Sequence, residues 1–303
     1  MLFRSAEGGF KQYESRWNFE HLANTLPQYS QPRWVGQALP GKTIFVLGEQ
    51  GFGDNIQFVR YLPQLRNLGA RVIFHVQESL ISLLAASKDL EGIELSPSAD
   101  APAEFDYWSP IMSLPVGFGT NYGTMSSPLQ YLNASEESVI AWQQRLGPKT
   151  RQRVGVCWSG RRDTWINRHK AVPFDSMVDL IQRNPDLQWI NLQSDAEDNQ
   201  NRVLAELGVA QYPGTITSWN DTAGLIHHLD MIVGVDTAVT HLACALGRPT
   251  WIMLSQFALD WRWLLDRDSS PWYTTARLFR QPKMGDWDSV MTKIDKFLSW
   301  FKI

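Results

Sequence analysis

The chain has 303 residues, 44% of them hydrophobic and 19% charged, with a formal net charge of −3. That length suggests two domains, and the composition suits a folded protein with a sizeable core. A net charge so close to zero excludes a global electrostatic pull toward nucleic acid or an anionic membrane. No apolar run is long enough to span a bilayer, and no basic-then-apolar leader opens the chain. The two cysteines, Cys157 and Cys244, have no CxxC spacing. They argue against a disulfide framework or zinc cluster and for a reducing, cytoplasmic setting. Most of the 14 tryptophans are expected in core or interface, with a few left to stack on a ring-shaped ligand.

In chain order, the first signal is a helical stripe within residues 8–20, where Phe10, Tyr13, Glu14 and Trp17 fall at i, i+3, i+4 and i+7. A proline-bearing loop, "LPQYSQPRWVGQALPG", follows. "KTIFVLGEQ" predicts a strand, residues 54–67 a helix stopped at Gly69, and "RVIFHV" a second strand. "ESLISLLAAS" reads as helix, and "GIELSP" and "FDYWSPIMSLP" as short strand and loop. "SEESVIAWQQRL" is a helix capped by Ser135, with Glu136 and Glu137 in the first turn, where the helix dipole favours acids.

After a linker-like "GPKTRQ" the pattern starts again. "RVGVCWSG" is a strand, "FDSMVDLIQRN" a helix and "LQWINLQ" a strand; "DNQNRVLAELG" and "DTAGLIHHL" are helices. "MIVGVD", "TAVTHLACALG" and "PTWIML" then read as strand, helix and strand. Strands alternating with helices predict parallel sheets under helical cover, and two such series predict an α/β chain of two Rossmann-like domains. The expected division is an N-terminal helix and linker over 1–40, a first domain over 41–148, a second over 149–285, and a helix over 286–303 packing across the domains. Ligands of open α/β sheets sit at the carboxyl ends of strands, which places the expected site in a central cleft faced by both sheets.

Three segments carry chemistry. In "EQGFGDNIQF", Gly51 and Gly53 leave room for backbone to approach a ligand at a strand-to-helix turn, and Asp54 stands on the first helical turn. The spacing is not GxGxxG, so a dinucleotide fingerprint is not indicated. Asp54 reads either as a cap of its own helix or as a general base. In "SGRRDTWINRHK", Arg161, Arg162, Arg168, His169 and Lys170 fall in one expected loop after a strand. A solvated basic loop and a phosphate site both fit. In "GVDTAVTHLACALGRPT", Asp236 ends a strand, Thr237 opens a helix, and His241 lies one turn on along the same face. Helix-start amides and a threonine hydroxyl make an anion site, while an N-cap and a packed core histidine are the plainer alternative. "DRD" at 266–268 and "DWD" at 286–288 match a three-residue metal motif too short to carry weight, and His227 with His228 fits packing better than metal binding.

Together, "GKTIFVLGEQGFGDNIQFVRYLPQL", "DYWSPIMSLP", "RVGVCWSG", "GVDTAVTHLACALGRPTWIML" and "DWRWLLDRDSSPWYTTARLFRQ" resemble the glycosyltransferase domain found downstream of tetratricopeptide repeats in bacterial proteins. That domain is similar to the family 9 heptosyltransferases and, more distantly, to protein O-GlcNAc transferases. The resemblance runs from about residue 8 to the end, and "GGFKQYESRW" looks like the helix joining repeats to transferase. It implies a GT-B fold, a nucleoside-diphosphate-sugar donor on the C-terminal domain, an acceptor on the N-terminal one, inversion at the anomeric carbon and no metal. It also implies Asp54 as general base, Lys170 as a donor-phosphate contact, and Asp236, Thr237 and His241 as the segment whose helix start holds the diphosphate. Arg161 is a further candidate phosphate contact, Gln193 a candidate nucleotide contact. Relatives carry a histidine shortly after "WSG"; here the position is Thr164, beside Trp165, and "RNRSIP" is replaced by "RHKAVP".

The expected function is an inverting, metal-independent glycosyltransferase acting on a protein, lipopolysaccharide or other glycan hydroxyl; the alternatives are a degenerate transferase domain that binds a nucleotide sugar or a protein, or a nucleotide-sugar epimerase.

Overall fold

The computed structural model describes residues 6–49, 51–98, 100–121, 123–160, 165–257, 260–265 and 267–301. The chain divides into two compact units, Met1–Ser127 and Pro128–Ile303.

In the first unit, α1 (Ala6–Tyr13), a 3-10 turn (Glu14–Asn18) and α2 (Glu20–Ala23) precede the sheet. The expected single stripe at 8–20 is thus broken in two. The strands are β1 (Thr43–Leu47), β2 (Arg71–His75), β3 (Glu94–Ser96) and β4 (Tyr107–Pro110), all parallel in the order β3-β2-β1-β4. Ile44, Phe45 and Val46 are fully buried. A parallel strand covered on both faces needs such a continuous apolar run rather than alternation. Between β1 and β2 lie α3 (Phe52–Phe58), a 3-10 turn (Val59–Tyr61) and α4 (Leu62–Asn67). The expected helix 54–67 is therefore two helices. Pro63 sits in the first turn of α4, where its missing N–H costs nothing; inside a longer helix it would remove a hydrogen bond and clash. Further on come α5 (Glu78–Ala85) and α6 (Leu114–Gly117).

The second unit opens with α7 (Glu136–Leu146), where Ser135 accepts a hydrogen bond from Ser138 N as the cap pattern predicted. This helix, placed in the first domain by sequence, packs on α11 (Trp219–His227) of the second unit. A Cβ added at Gly224 would lie 2.1 Å from Ser138 Oγ and 2.8 Å from Trp142 Cδ1, so the helices touch through a bare glycine. The sheet comprises β5 (Arg153–Cys157), β6 (Gln188–Asn191), β7 (Met231–Val235), β8 (Thr250–Leu254) and β9 (Ala276–Arg280), all parallel in the order β6-β5-β7-β8-β9. Its other helices are α8 (Trp165–Lys170), α9 (Phe174–Arg183), α10 (Asp198–Glu206), α12 (Ala238–Ala245) and α13 (Trp287–Phe301).

Two elements here go beyond the sequence expectation. Residues 165–170 form α8 rather than loop. Edge strand β9 is buried at Leu278 and Phe279, while Arg277 lies 3.7 Å over the Phe297 ring. Charges on an edge strand mask its apolar alternation. Helix α13 buries Val290, Ile294 and Leu298 in the core of this unit against α9, with Asn184 Nδ2 donating to Asp295 Oδ1 at 2.7 Å.

Candidate active site

The candidate residues gather into two constellations, one in each unit. In the first, β1 ends at Leu47 and the chain turns into α3. Asn55, 1% exposed, staples this turn. Its Oδ1 accepts from Glu49 N, and its Nδ2 donates to the carbonyls of Glu49 and Gly51 and to Gln77 Oε1 at 2.9 Å. Asp54 Oδ2 accepts from Gly51 N at 2.8 Å, the backward arm of a capping box. The plainer reading of Asp54 is thus realised. The side chain is half-buried, which leaves the catalytic reading open to test.

Gly51 has φ −89° and ψ 170°, ordinary extended backbone, and Gly53 lies inside α3. Neither uses the left-handed region. The glycine that this turn demands sterically is Gly48, where a Cβ would lie 2.8 Å from His75 O and 3.0 Å from Asn55 Oδ1.

Glu49 went unread in the sequence, although it stands inside the motif. Its carboxylate takes both Arg16 Nη2 at 3.0 Å and Arg16 Nε at 3.2 Å, and accepts from Met112 N at 2.8 Å. Arg16, 5% exposed, also reaches Ser113 Oγ and Glu14, and Arg33 joins the same Glu14 and Ser113. Burial pushes the Glu49 carboxyl above the ordinary range, and the Arg16 charge only partly offsets this. No local sequence signal pairs Arg16 with Glu49, because tertiary folding brings them together.

In the second unit, Lys170 at the end of α8 donates Nζ to Asp236 Oδ2 at 3.0 Å. His241, in the first turn of α12, places Nε2 3.5 Å from Asp236 Oδ1 and Nδ1 2.8 Å from the Tyr273 hydroxyl. Its ring stacks on Trp263 at 5.4 Å between centroids. Burial pushes the Asp236 carboxyl up, but the His241 hydrogen bond and the Lys170 charge outweigh it and hold the acid far below the usual carboxylate range. For Lys170, burial pulls down while Asp236 and Asp260 push up, and the net direction is up. Both shifts favour the charged pair.

Thr237 caps α12, its N–H donating to Thr240 Oγ1 at 3.1 Å. A Cβ at Gly234 would lie 2.4 Å from Cys157 Sγ, so β7 delivers Asp236 along a strand packed directly on β5. The space beside the Lys170–Asp236 pair, walled by Ser255, Phe257, Asp260 and Trp263, is about 10 Å³, the volume of roughly one water. A larger cavity of about 440 Å³ opens at the end of β5, between Trp158, Ser159, Arg168, Phe174 and Gln200.

Gln193 serves as a latch. Its Oε1 accepts from Trp158 N and Ser159 N at 3.1 and 3.0 Å, tying the end of β6 to the end of β5. Arg161, Arg162 and Thr164 lie outside the described residues. Of the acidic pairs, Asp286 caps α13 through Ser289, Asp268 pairs with Arg277, and Asp266 is outside the described residues. His228 Nε2 lies 2.8 Å from Val139 O, a packing role. Among the described residues, no group of three or more His, Cys, Asp or Glu could hold a metal ion.

Residues 213–253 match the family model of glycosyltransferase family 9 (heptosyltransferase). That stretch runs from α11 to β8 and contains Asp236, Thr237 and His241. Protein FlbA of Caulobacter vibrioides is 26% identical over 94% of the chain and 51% of its own length. The chain thus spans about half the length of this curated relative. ADP-heptose LPS heptosyltransferase II of E. coli superposes with a TM-score of 0.60 at 16% identity, over 85% of this chain and 98% of that one. The family 9 glycosyl transferase of Veillonella parvula superposes at 0.59 with 11% identity, over 87% and 91%. The fold, two parallel α/β sheets, is that of these enzymes. No helix among the described residues is long and apolar enough to cross a membrane.

Proposed function

We propose that the chain is an inverting, metal-independent glycosyltransferase that moves a sugar from a nucleoside diphosphate to a hydroxyl acceptor. The observation that carries this reading is the cluster that Lys170, at the end of α8, makes with Asp236 and His241 at the start of α12, the latter two inside the segment that matches the family 9 model. Breaking the bond between the anomeric carbon and the phosphate oxygen leaves the electron pair on the diphosphate. The α12 amides, Thr237, Lys170 and the His241 N–H supply donors for that charge. Asp54 takes the proton of the acceptor hydroxyl as its oxygen bonds to the anomeric carbon.

Lys170 is neutralised by Asp236 in the ligand-free state, so a diphosphate must compete with that carboxylate for it. ADP is the first nucleotide to test, because the E. coli neighbour's name specifies ADP-heptose. The acceptor, whether lipopolysaccharide, other glycan or protein, belongs to the same test, as does any tetratricopeptide-repeat region in a longer parent protein.

Thermal denaturation with ADP, UDP, GDP, CMP and dTDP, each with and without EDTA, tests the donor half. A ligand that binds only the folded state raises Tm with its concentration over its Kd. The expected outcome is a rise with one diphosphate, unchanged by EDTA and lost in Lys170→Ala. No rise with any nucleotide sinks the transferase reading and favours a domain that binds a protein partner. Asp54→Asn should cut turnover about 10²–10⁴-fold without weakening nucleotide binding; full turnover would remove Asp54 from the mechanism.

A further inference from the structure

His241 is 6% exposed, and both its ring nitrogens are engaged. Nε2 faces Asp236 Oδ1 at 3.5 Å, and Nδ1 faces the Tyr273 hydroxyl at 2.8 Å. Trp263, 1% exposed, covers one ring face, and its own ring lies 6.2 Å from that of Tyr273, which is 2% exposed. A neutral imidazole carries one donor nitrogen and one acceptor nitrogen, and its surroundings choose which is which.

We propose that Tyr273 is a positioning residue that fixes both the orientation and the tautomer of His241. Asp236 is an ionised carboxylate and only accepts, so the nitrogen facing it carries the proton. Nδ1 is then an acceptor buried away from water, and it requires a donor. The phenol O–H of Tyr273 is that donor, and Trp263 holds the ring in the plane that lets both bonds form. The result is an Nε2–H held on Asp236 beside Lys170, where on the proposed reading the diphosphate competes for it. The purpose assigned to this N–H rests on that reading; the tautomer does not. Without the phenol hydroxyl, a flipped ring that turns Nδ1–H toward Asp236 costs no buried bond, and the Nε2–H is no longer held in place.

The test is a long-range ¹⁵N–¹H correlation spectrum of the full chain labelled at its six histidines. His241→Gln supplies the assignment, and Tyr273→Phe keeps the ring while removing the hydroxyl. ADP titration is run beside it on wild type and Tyr273→Phe. The expected wild-type signature is a neutral Nε2–H ring with a hydrogen-bonded Nδ1. In Tyr273→Phe the Nδ1 signal should move toward the unbonded position or split between tautomers, and the Kd for ADP should rise about five- to tenfold, the equivalent of one net hydrogen bond. A wild-type His241 protonated at Nδ1 overturns the proposal without any variant, which keeps it testable if Tyr273→Phe does not fold. An unchanged His241 signature in a folded Tyr273→Phe overturns it as well. If wild type binds neither ADP nor the other nucleotides, the transferase reading falls, and the spectrum alone still decides the role of Tyr273.

Discussion

At the residue scale, Asp236 and Lys170 form a largely buried ion pair, 11% and 17% exposed at the side chain. The desolvation of such a pair is offset only while both partners are present. Lys170→Ala should therefore lower stability by about 3–5 kcal/mol, because it leaves Asp236 charged and unmatched. Lys170→Ala with Asp236→Ala should cost less than the sum of the single changes, by about 0.5–3 kcal/mol. Urea midpoints of the four proteins check this, and additivity would show that the pair is not coupled. Asp236 and His241 stand out in the sequence by a strand-end and helix-start pattern, and Lys170 by a basic run and the family resemblance. Their mutual contact does not, because Lys170 and Asp236 stand 66 positions apart and carry no pairwise signal. Tyr273 and Glu49 were unread for the same reason, since each acquires its partner only when remote segments fold together.

At the element scale, close packing decides what periodicity leaves open. Helices α7 and α11 meet at Gly224 with no space for a Cβ. Gly224→Ala should cost about 1–3 kcal/mol through overpacking, despite the better helix propensity of alanine. A Tm equal to or above wild type would show that α7 shifts freely. The β1-to-α3 turn has the same character. Asn55→Ala removes four side-chain hydrogen bonds from a buried site and strands several backbone partners. A loss of about 1–3 kcal/mol is expected, read as a drop in urea midpoint. The sequence places the domain division after α7 rather than before it, because the "GPKTRQ" composition marks a turn before β5 as plainly as it marks a domain linker. Residues 165–170 read as loop in the sequence because a run of cations obscures the helical period.

At the scale of the whole molecule, acid stability carries opposing contributions. The Asp236 carboxyl is held below its ordinary range when folded, so its stabilisation is present above about pH 4 and is lost as pH falls below that. Asp106 and Asp221 shift in the same direction, Asp106 through its hydrogen bond from Lys42, and Asp221 through hydrogen bonds from Thr217 and Ser218 that outweigh its burial. Glu49 runs the other way: raised by burial, it contributes stability below its ordinary range that is lost as pH rises through its folded value. Asp236→Asn should therefore flatten, without abolishing, the fall in stability between about pH 4 and pH 2; an unchanged slope would mean that the carboxylate is not held low.

The sequence by itself determined the class of this protein. Apolar strand runs alternating with 3.6-periodic helices permit little besides two parallel sheets, and strand ends followed by helix starts marked where Asp54 and Asp236 would stand. Only the tertiary structure decided what those groups face. It paired Asp236 with Lys170, gave His241 its tyrosine, turned Gln193 into a latch and bound Arg16 to Glu49. Periodicity is a property of neighbours along the chain and survives in one dimension. A buried charge or hydrogen bond instead depends on which distant residue removes its water, and that is set only when the sheet closes.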